Sequence, residues 1–118
     1  MSLPSPGTSV RGSRSGRPIM MLLDLLGRRW VLRILWELRD GPLTFRELRE
    51  HCDDMSPTVL NQRLRDLREA DIVLLEEPSG YGLTGPGRQL LKSLTPLHHW
   101  AEQWQKRQTA RAAKLRAG

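Results

Sequence analysis

Two helix-start signals, separated by one short helix and a tight turn, constrain the fold of this chain more than any other feature. The first has the form of a capping box, Thr44-Phe45-Arg46-Glu47, in which the threonine hydroxyl and the glutamate carboxylate each accept a hydrogen bond from the other residue's backbone N–H. The second is Ser56-Pro57, a capping serine followed by proline at the first helical position. Only a turn at 52–55 separates the two predicted helices, 45–51 and about 56–70. We therefore expect a helix-turn-helix pair.

A β-hairpin is predicted directly after this pair. The first strand is expected at 72–75, where four apolar residues follow one another, and the second at 81–83, with a turn between them. A helix-turn-helix pair followed by a hairpin is the order of a winged helix-turn-helix domain. The expected fold class is α+β, mostly α.

Further helices are predicted on both sides of this unit. Apolar residues at helical spacing indicate one helix from 19 to 26 and another from about Arg29 to the stop signal Asp40-Gly41-Pro42. Thr84 is expected to cap a long last helix, and Pro96 is expected to kink or split that helix near Thr95.

The helix at 56–70 has a polar face whose chemistry suits DNA. Its leucines, Leu60, Leu64 and Leu67, fall within one narrow stripe at 100° per residue. Thr58, Gln62 and Arg65 lie on the opposite side, with Asn61 at the margin. Glutamine pairs bidentately with adenine and arginine with guanine in the major groove. A solvated face would show the same polarity, but the capped helix before it and the hairpin after it favour DNA binding.

The net charge of +6 is weaker evidence, because most of it lies at the two ends. Residues 1–18 carry three arginines and no acid, residues 105–118 carry five basic residues and no acid, and residues 19–104 have a net charge of −2. Such ends are compatible with solubility and with arms that follow DNA phosphates.

The motifs of the middle of the chain resemble the HxlR-type winged helix-turn-helix regulators. The resemblance covers about 18–104 and rests on Asp24-Leu25-Leu26-Gly27-Arg28-Arg29-Trp30, Ile34-Leu35, Asp40-Gly41-Pro42-Leu43-Thr44-Phe45-Arg46-Glu47-Leu48, Ser56-Pro57-Thr58-Val59-Leu60-Asn61-Gln62-Arg63-Leu64, Leu83-Thr84, Gly87-Arg88 and Trp100. It implies a bacterial transcription factor that binds double-stranded DNA as a homodimer, with its first and last helices forming the dimer interface.

Three departures from the family pattern bear on function. Many members carry a sensing cysteine in an N-terminal Cys-Pro-Val element, and that position is Arg17 here. Position 58, often basic in the family, is threonine. The predicted wing is short and begins with Glu76-Glu77, so we expect it to contribute little to DNA binding.

These observations give two sets of candidate residues. The expected DNA-binding residues are Thr44, Arg46, Ser56, Thr58, Asn61, Gln62, Arg63 and Arg65, with Gln62 and Arg65 reading bases and Thr44, Arg46 and Arg63 anchoring phosphates. A small core cannot bury all four tryptophans, so a partner surface is expected as well. The expected dimer-interface residues are Leu22, Leu25, Leu97, Trp100 and Trp104.

The sequence offers little for other chemistry. The lone cysteine, Cys52, precedes two aspartates that should raise its pKa, so a structural thiol is expected rather than a sensor. His98 and His99 are adjacent and would point in different directions on a helix, and no zinc-ligand spacing occurs. Without a phosphate loop or a nucleophile elbow, we expect no enzyme, no metal and no cofactor.

The expected organisation is a disordered basic tail at 1–18, the winged helix-turn-helix domain with its dimerisation helices at 19–104, and a basic C-terminal extension at 105–118. We expect a cytoplasmic protein with no membrane partner. Two other interpretations stay open. One is a winged-helix protein-interaction module without specific DNA binding, and the other is a regulator switched by redox chemistry or by an unknown small-molecule effector bound near the tryptophans.

Overall fold

The computed structural model describes residues 16–118, and the chain divides into two compact units at Arg88/Gln89. The first unit holds four helices, a two-stranded sheet and the first turn of a fifth helix, and the second unit is the remainder of that helix. The elements in chain order are α1 (Pro18–Leu26), α2 (Val31–Glu37), α3 (Phe45–His51), α4 (Pro57–Glu69), β1 (Val73–Glu76), β2 (Gly80–Leu83) and α5 (Gly85–Ala117). The predicted α+β, mostly helical winged helix-turn-helix fold is confirmed.

The first unit encloses an apolar core to which all of its helices contribute. Val31, Ile34, Leu35, Leu48 and Leu60 are completely buried. Burying a side chain of this size contributes about 1.5–3 kcal/mol. This core fixes the orientation of α4 and therefore decides which of its side chains face solvent.

The capping interactions predicted for α3 and α4 are present. Thr44 Oγ1 accepts from Glu47 N at 3.2 Å, and Glu47 Oε1 accepts from Thr44 N at 2.9 Å. Ser56 Oγ accepts from Val59 N at 3.4 Å, and Pro57 occupies the first turn of α4. These caps set where both helices begin, and so the spacing of the helix-turn-helix pair.

The sheet is a hairpin whose second strand is held against the link between α2 and α3. Val73 pairs with Leu83 and Glu76 with Gly80 in antiparallel register, and Leu43 forms a bridge to Tyr81. Gly80 has φ +104°, and a Cβ there would collide with the Leu43 carbonyl oxygen. Glycine is therefore required where the hairpin passes closest to the link between α2 and α3.

Thr84 joins this hairpin to the start of α5. Its hydroxyl lies 2.6 Å from the Asp71 carbonyl oxygen and 3.1 Å from that of Ile72, and it accepts from Gly87 N at 2.9 Å. A Cβ on Gly87 would collide with the Ile72 oxygen. The predicted cap of the last helix is thus confirmed, together with the reason for the glycine after it.

Three predictions about the helices need correction. Helix α1 begins at Pro18, inside the predicted tail, and residues 1–15 of that tail lie outside the described residues. Helix α2 begins at Val31 rather than near Arg29, because Trp30 adopts a left-handed conformation with φ 78°. Pro96 does not split α5, which continues to Ala117 and includes the predicted C-terminal extension. A proline removes one backbone hydrogen bond, at a cost of about 3 kcal/mol, and a 33-residue helix retains the others on both sides.

Candidate nucleic-acid interface

The solvent-facing side of α4 carries the side chains that the sequence assigned to base reading. Thr58, Asn61 and Arg65 are exposed and Gln62 is half-buried, whereas Leu60, Leu64 and Leu67 are at most 1% exposed. The predicted division of this helix into an apolar face and a polar face is confirmed. The polar side chains of the first half of α4 thus form a continuous strip of donors and acceptors.

The candidate phosphate-binding residues on α3 and at the start of α4 are accessible. The Thr44 and Ser56 hydroxyls accept hydrogen bonds from backbone N–H groups in their caps, which leaves each O–H free to donate. Arg46 has a side chain 90% exposed and forms an ion pair with Glu50 at 3.2 Å. A surface pair of this kind contributes at most about 1 kcal/mol, so a DNA phosphate can replace the carboxylate.

Arg65 differs from Arg63 of the same helix in its surroundings. It is exposed, and its guanidinium makes no hydrogen bond or ion pair within residues 16–118. It lines a shallow depression between α4 and β1 together with Arg68, Glu69 and Leu75. All five of its donors are therefore available to a ligand.

Arg63 is partly engaged by groups of the chain itself. Its side chain is only 22% exposed, its Nε donates to the Arg29 carbonyl oxygen at 3.0 Å, and its guanidinium pairs with Asp66 at 3.4 Å. These contacts use two of its five N–H donors, and its role as a phosphate anchor stays a prediction.

Asp66 is the centre of a charge cluster that the sequence analysis did not identify. Its side chain is 1% exposed, and its carboxylate accepts from Gln62 Nε2 at 3.0 Å and pairs with Arg28 at 3.0 Å and with Arg63. Arg28 also pairs with Asp24 of α1 at 3.1 Å. Arg63 and Gln62 stand three and four residues before Asp66, a helical spacing that was visible in the sequence, whereas the contact with Arg28 spans 38 positions and was not.

The cluster is stabilised by charge pairing. Burial acts to lower the pKa of the Arg28 guanidinium, but its hydrogen bonds to Asp24 and Asp66 outweigh burial and raise that pKa above its usual value. Arg28 therefore stays charged, as a buried carboxylate partner requires. The turn between α1 and α2 is fixed to α4 in this way.

The end of the wing is acidic and the thiol is buried. Glu76 and Glu77 are exposed at the end of the hairpin, where they oppose any approach of phosphate. Cys52 is completely buried, and desolvation is the main reason that its pKa rises to about 11, with Glu37 and Asp53 adding to the effect. Among residues 16–118 no group of three metal-ligating side chains comes together, and none of the helices there is long and apolar enough to cross a membrane.

The residues expected at a dimer interface differ in exposure. Trp100 and Trp104 are 55% and 48% exposed, and their rings stack with centroids 6.1 Å apart. Leu97 is also exposed and Leu22 is partly so, but Leu25 is 2% exposed and belongs to the core. Leu25 is therefore a correction to the predicted set, since a partner would gain almost no contact from it. Ile19 and Leu23 of α1 are about half exposed and were missed.

Comparison with known proteins agrees with the helix-turn-helix described above. The profile of the HxlR-like helix-turn-helix family matches residues 25–109. The HTH-type transcriptional regulator YodB of Bacillus subtilis is 36% identical over 87 residues, which cover 69% of this chain and 78% of YodB. YvaP of the same organism, named as an uncharacterized HTH-type transcriptional regulator, is 32% identical over 88 residues, covering 70% of this chain and 82% of YvaP.

Solved structures show the same fold. The crystal structure of quinone-bound YodB has a TM-score of 0.66 at 34% identity and covers 73% of this chain and 97% of that one. A possible HxlR family transcriptional factor from Thermoplasma volcanium has a TM-score of 0.67 at 27% identity and covers 75% of this chain and 85% of that one. The chain is therefore a transcriptional regulator that belongs to the HxlR-like helix-turn-helix family.

Proposed function

We propose that this regulator binds double-stranded DNA as a homodimer, with α4 of each protomer in the major groove of a pseudo-palindromic operator. The observation that carries the proposal is the exposed polar strip on the first half of α4, which stands opposite a fully buried leucine stripe. A recognition helix reads bases with its N-terminal residues, and two-fold related helices read half-sites one or more turns apart.

The role proposed for each residue follows from the accessibility of its hydrogen-bonding groups. Arg65 has all its donors available and is assigned to guanine, and Gln62 presents an amide suited to adenine. Thr58 and Asn61 support these contacts from the same strip. Thr44, Arg46 and Ser56 are assigned to phosphates, which fix the register without reading sequence.

The homodimer is proposed from exposed apolar surface on two helices. The stacked pair Trp100–Trp104 and Leu97 are exposed on α5, and Ile19 and Leu23 are exposed on α1. Exposed large apolar side chains on each of these helices favour coverage by another chain. A second copy is the simplest partner for a protein that reads a two-fold symmetric operator.

Protein interaction without specific DNA binding is the second candidate. The acidic wing and the balance of 11 basic and 12 acidic side chains in residues 16–88 favour it, because this unit attracts DNA weakly by charge alone. Thiol-based sensing is not part of the proposal, since Cys52 is buried and the chain has no other cysteine.

The test is fluorescence anisotropy with the DNA upstream of the protein's own gene and a scrambled fragment of equal length, over a salt series. We expect binding to the native fragment at roughly 150 mM salt to exceed binding to scrambled DNA by about 1,000-fold or more. Equal and weak binding to both fragments would favour the interaction module. Sedimentation of the free protein gives its oligomeric state, and tryptophan fluorescence during a metabolite screen tests for an effector.

A further inference from the structure

We infer that Asp66 is a positioning residue for DNA sequence selection, because it holds the side-chain amide of Gln62 in the orientation that reads adenine. The inference rests on the proposed function of Gln62. Asp66 itself is 1% exposed and cannot reach a base, so it would act only through its neighbour.

The two oxygens of the Asp66 carboxylate are divided between different partners. Oδ1 accepts from Gln62 Nε2 at 3.0 Å, and Oδ2 accepts from the guanidinium groups of Arg28 at 3.0 Å and Arg63 at 3.4 Å. The arginines fix one side of the carboxylate, which leaves the other side directed at Gln62. An ionised carboxylate only accepts hydrogen bonds, so the amide must present its nitrogen to Asp66 and not its oxygen.

This hydrogen bond determines what Gln62 offers to a base. A glutamine amide has two N–H donors and one carbonyl acceptor, and one donor is bound to Asp66. The free edge therefore keeps one donor and one acceptor in a fixed order. Adenine presents N7 as acceptor and its N6 amino group as donor in the major groove, which complements that edge.

Asn61 supplies the matched comparison within the same helix. It is exposed and carries the same amide group, but it makes no side-chain hydrogen bond within the described part of the chain. An untethered amide can rotate and exchange its donor with its acceptor, which removes the distinction between bases. The tether thus sets Gln62 apart from its neighbour before any DNA is present.

The test uses the full-length variants Gln62→Ala, Asp66→Asn and their combination, measured on an operator and on the same operator with each base pair replaced in turn. In Asp66→Asn the asparagine carbonyl would face the two arginines, so its NH2 group would face Gln62 and force the amide to turn over. We expect the wild type to discriminate at one A·T pair by about 5- to 150-fold and Asp66→Asn to lose that discrimination. Replacing Gln62 by alanine should then have no further effect in the Asp66→Asn background.

A purely structural role for Asp66 would weaken binding to all operators equally and leave the discrimination ratio unchanged, which would overturn the inference. Glu69→Gln, which neutralises an exposed carboxylate one turn later on α4, is the control and should keep the ratio. If Gln62→Ala itself keeps the wild-type base profile, the proposed role of Gln62 is wrong and the inference is wrong with it. If only Asp66→Asn keeps that profile, the role of Gln62 stands and the inference alone is overturned.

A measurement on the wild type decides the matter even where Asp66→Asn fails to fold. NMR relaxation of the side-chain amide ¹⁵N nuclei should show Gln62 ordered and Asn61 mobile in the free protein. A Gln62 amide as mobile as that of Asn61 would overturn the inference.

Discussion

The two units of this chain obtain their stability and their charge in opposite ways. Residues 16–88 bury fourteen apolar side chains and carry nearly equal numbers of acidic and basic groups. Residues 89–118 form one stretch of helix in which no residue is buried, with six basic residues and one acid. Most of the stability of helices in proteins comes from the packing of an apolar face. The first unit therefore has a core that supports its helices, and residues 89–118 have no buried side chain of this kind.

If the proposed function holds, the difference separates base recognition from electrostatic attraction to DNA. The strip on α4 is held in place by the core and by the Asp66 cluster, in a unit that has almost no net charge. Basic charge, which attracts proteins to DNA, is concentrated in residues 1–18 and on the part of α5 after Glu102, where every ionisable side chain is basic. Variants in each unit should therefore have different consequences, and five predictions follow from the largest expected effect to the smallest.

Removing core volume should damage the first unit most. Leu35→Ala in α2 removes a side chain that is 0% exposed, and we expect a loss of 2–5 kcal/mol, roughly, in the free energy of unfolding. Leu32→Ala on the same helix is the control, since Leu32 is 45% exposed and its loss should change that free energy by less than about 0.5 kcal/mol. Urea denaturation measures both, and equal effects would show that the described core does not carry the stability.

Truncating the tryptophan pair should break association without unfolding the first unit. For Trp100→Ala combined with Trp104→Ala we expect monomers in sedimentation and a loss of operator affinity of about 100-fold or more, because two half-sites are no longer bound together. Leu115→Ala, at an exposed apolar residue farther along α5, should leave the dimer intact. A dimer that persists in the tryptophan variant would place the interface elsewhere.

Arg65→Ala should weaken base recognition without changing the stability of the fold. Since the guanidinium is exposed and makes no hydrogen bond or ion pair within residues 16–118, the free energy of unfolding should stay constant, while operator binding weakens by about 1–3 kcal/mol and becomes less selective at one base pair. Anisotropy against operator and scrambled DNA gives both quantities. Unchanged selectivity would refute the assignment to a base.

Neutralising the basic stretch of α5 should lower the electrostatic attraction to DNA without changing base discrimination. Arg107, Arg111 and Lys114 lie at i, i+4 and i+7, on one side of the helix, and all are exposed. If they contact phosphates, replacing all three by glutamine should flatten the slope of log affinity against log salt by up to about 0.9 per contact and leave base discrimination unaltered. Lys92→Gln serves as the control. An unaltered slope would show that these three residues do not contact phosphates and would favour a role in solubility.

The smallest effect is expected at the Cys52 thiol, which should stay protonated and react slowly near neutral pH. The pKa of Cys52 is about 11 in the folded chain, and its ordinary value is 9.0. The contribution of this buried thiol to the free energy of unfolding is therefore fully present below pH 9 and declines as the pH rises from 9 towards 11. At pH 8 we expect alkylation by iodoacetamide to proceed only as fast as the protein opens, and to accelerate strongly in urea. Rapid labelling of the native protein at pH 8 would contradict the assignment of Cys52 as a core residue.

Local signals were sufficient to predict most of the fold. Caps such as Thr44 and Ser56 and the leucine stripe of α4 act over a few residues, so the sequence alone identifies them. The prediction that Pro96 could split the last helix was wrong because propensity was weighed without the length of helix on either side.

The candidate site was less predictable because its decisive contacts are long-range. The exposure of Thr58 and Arg65 follows from helical periodicity. The engagement of Arg63 does not, since its partner, the Arg29 carbonyl, lies 34 positions away in the sequence. Leu25 was misassigned for a similar reason, as periodicity identifies an apolar face but not what covers it.

The contacts of Gly80 and Tyr81 also limit where the hairpin of this regulator can change. The bridge between Leu43 and Tyr81 and the close approach of Gly80 to Leu43 hold the second strand up to the last register pair, Glu76–Gly80, and only residues 77–79 lie beyond that pair. We therefore expect insertions and changes of charge to be tolerated at 77–79 and penalised within the paired strands. Evolution, or a designer grafting a longer basic loop, can lengthen the wing at 77–79 while α4 keeps its place.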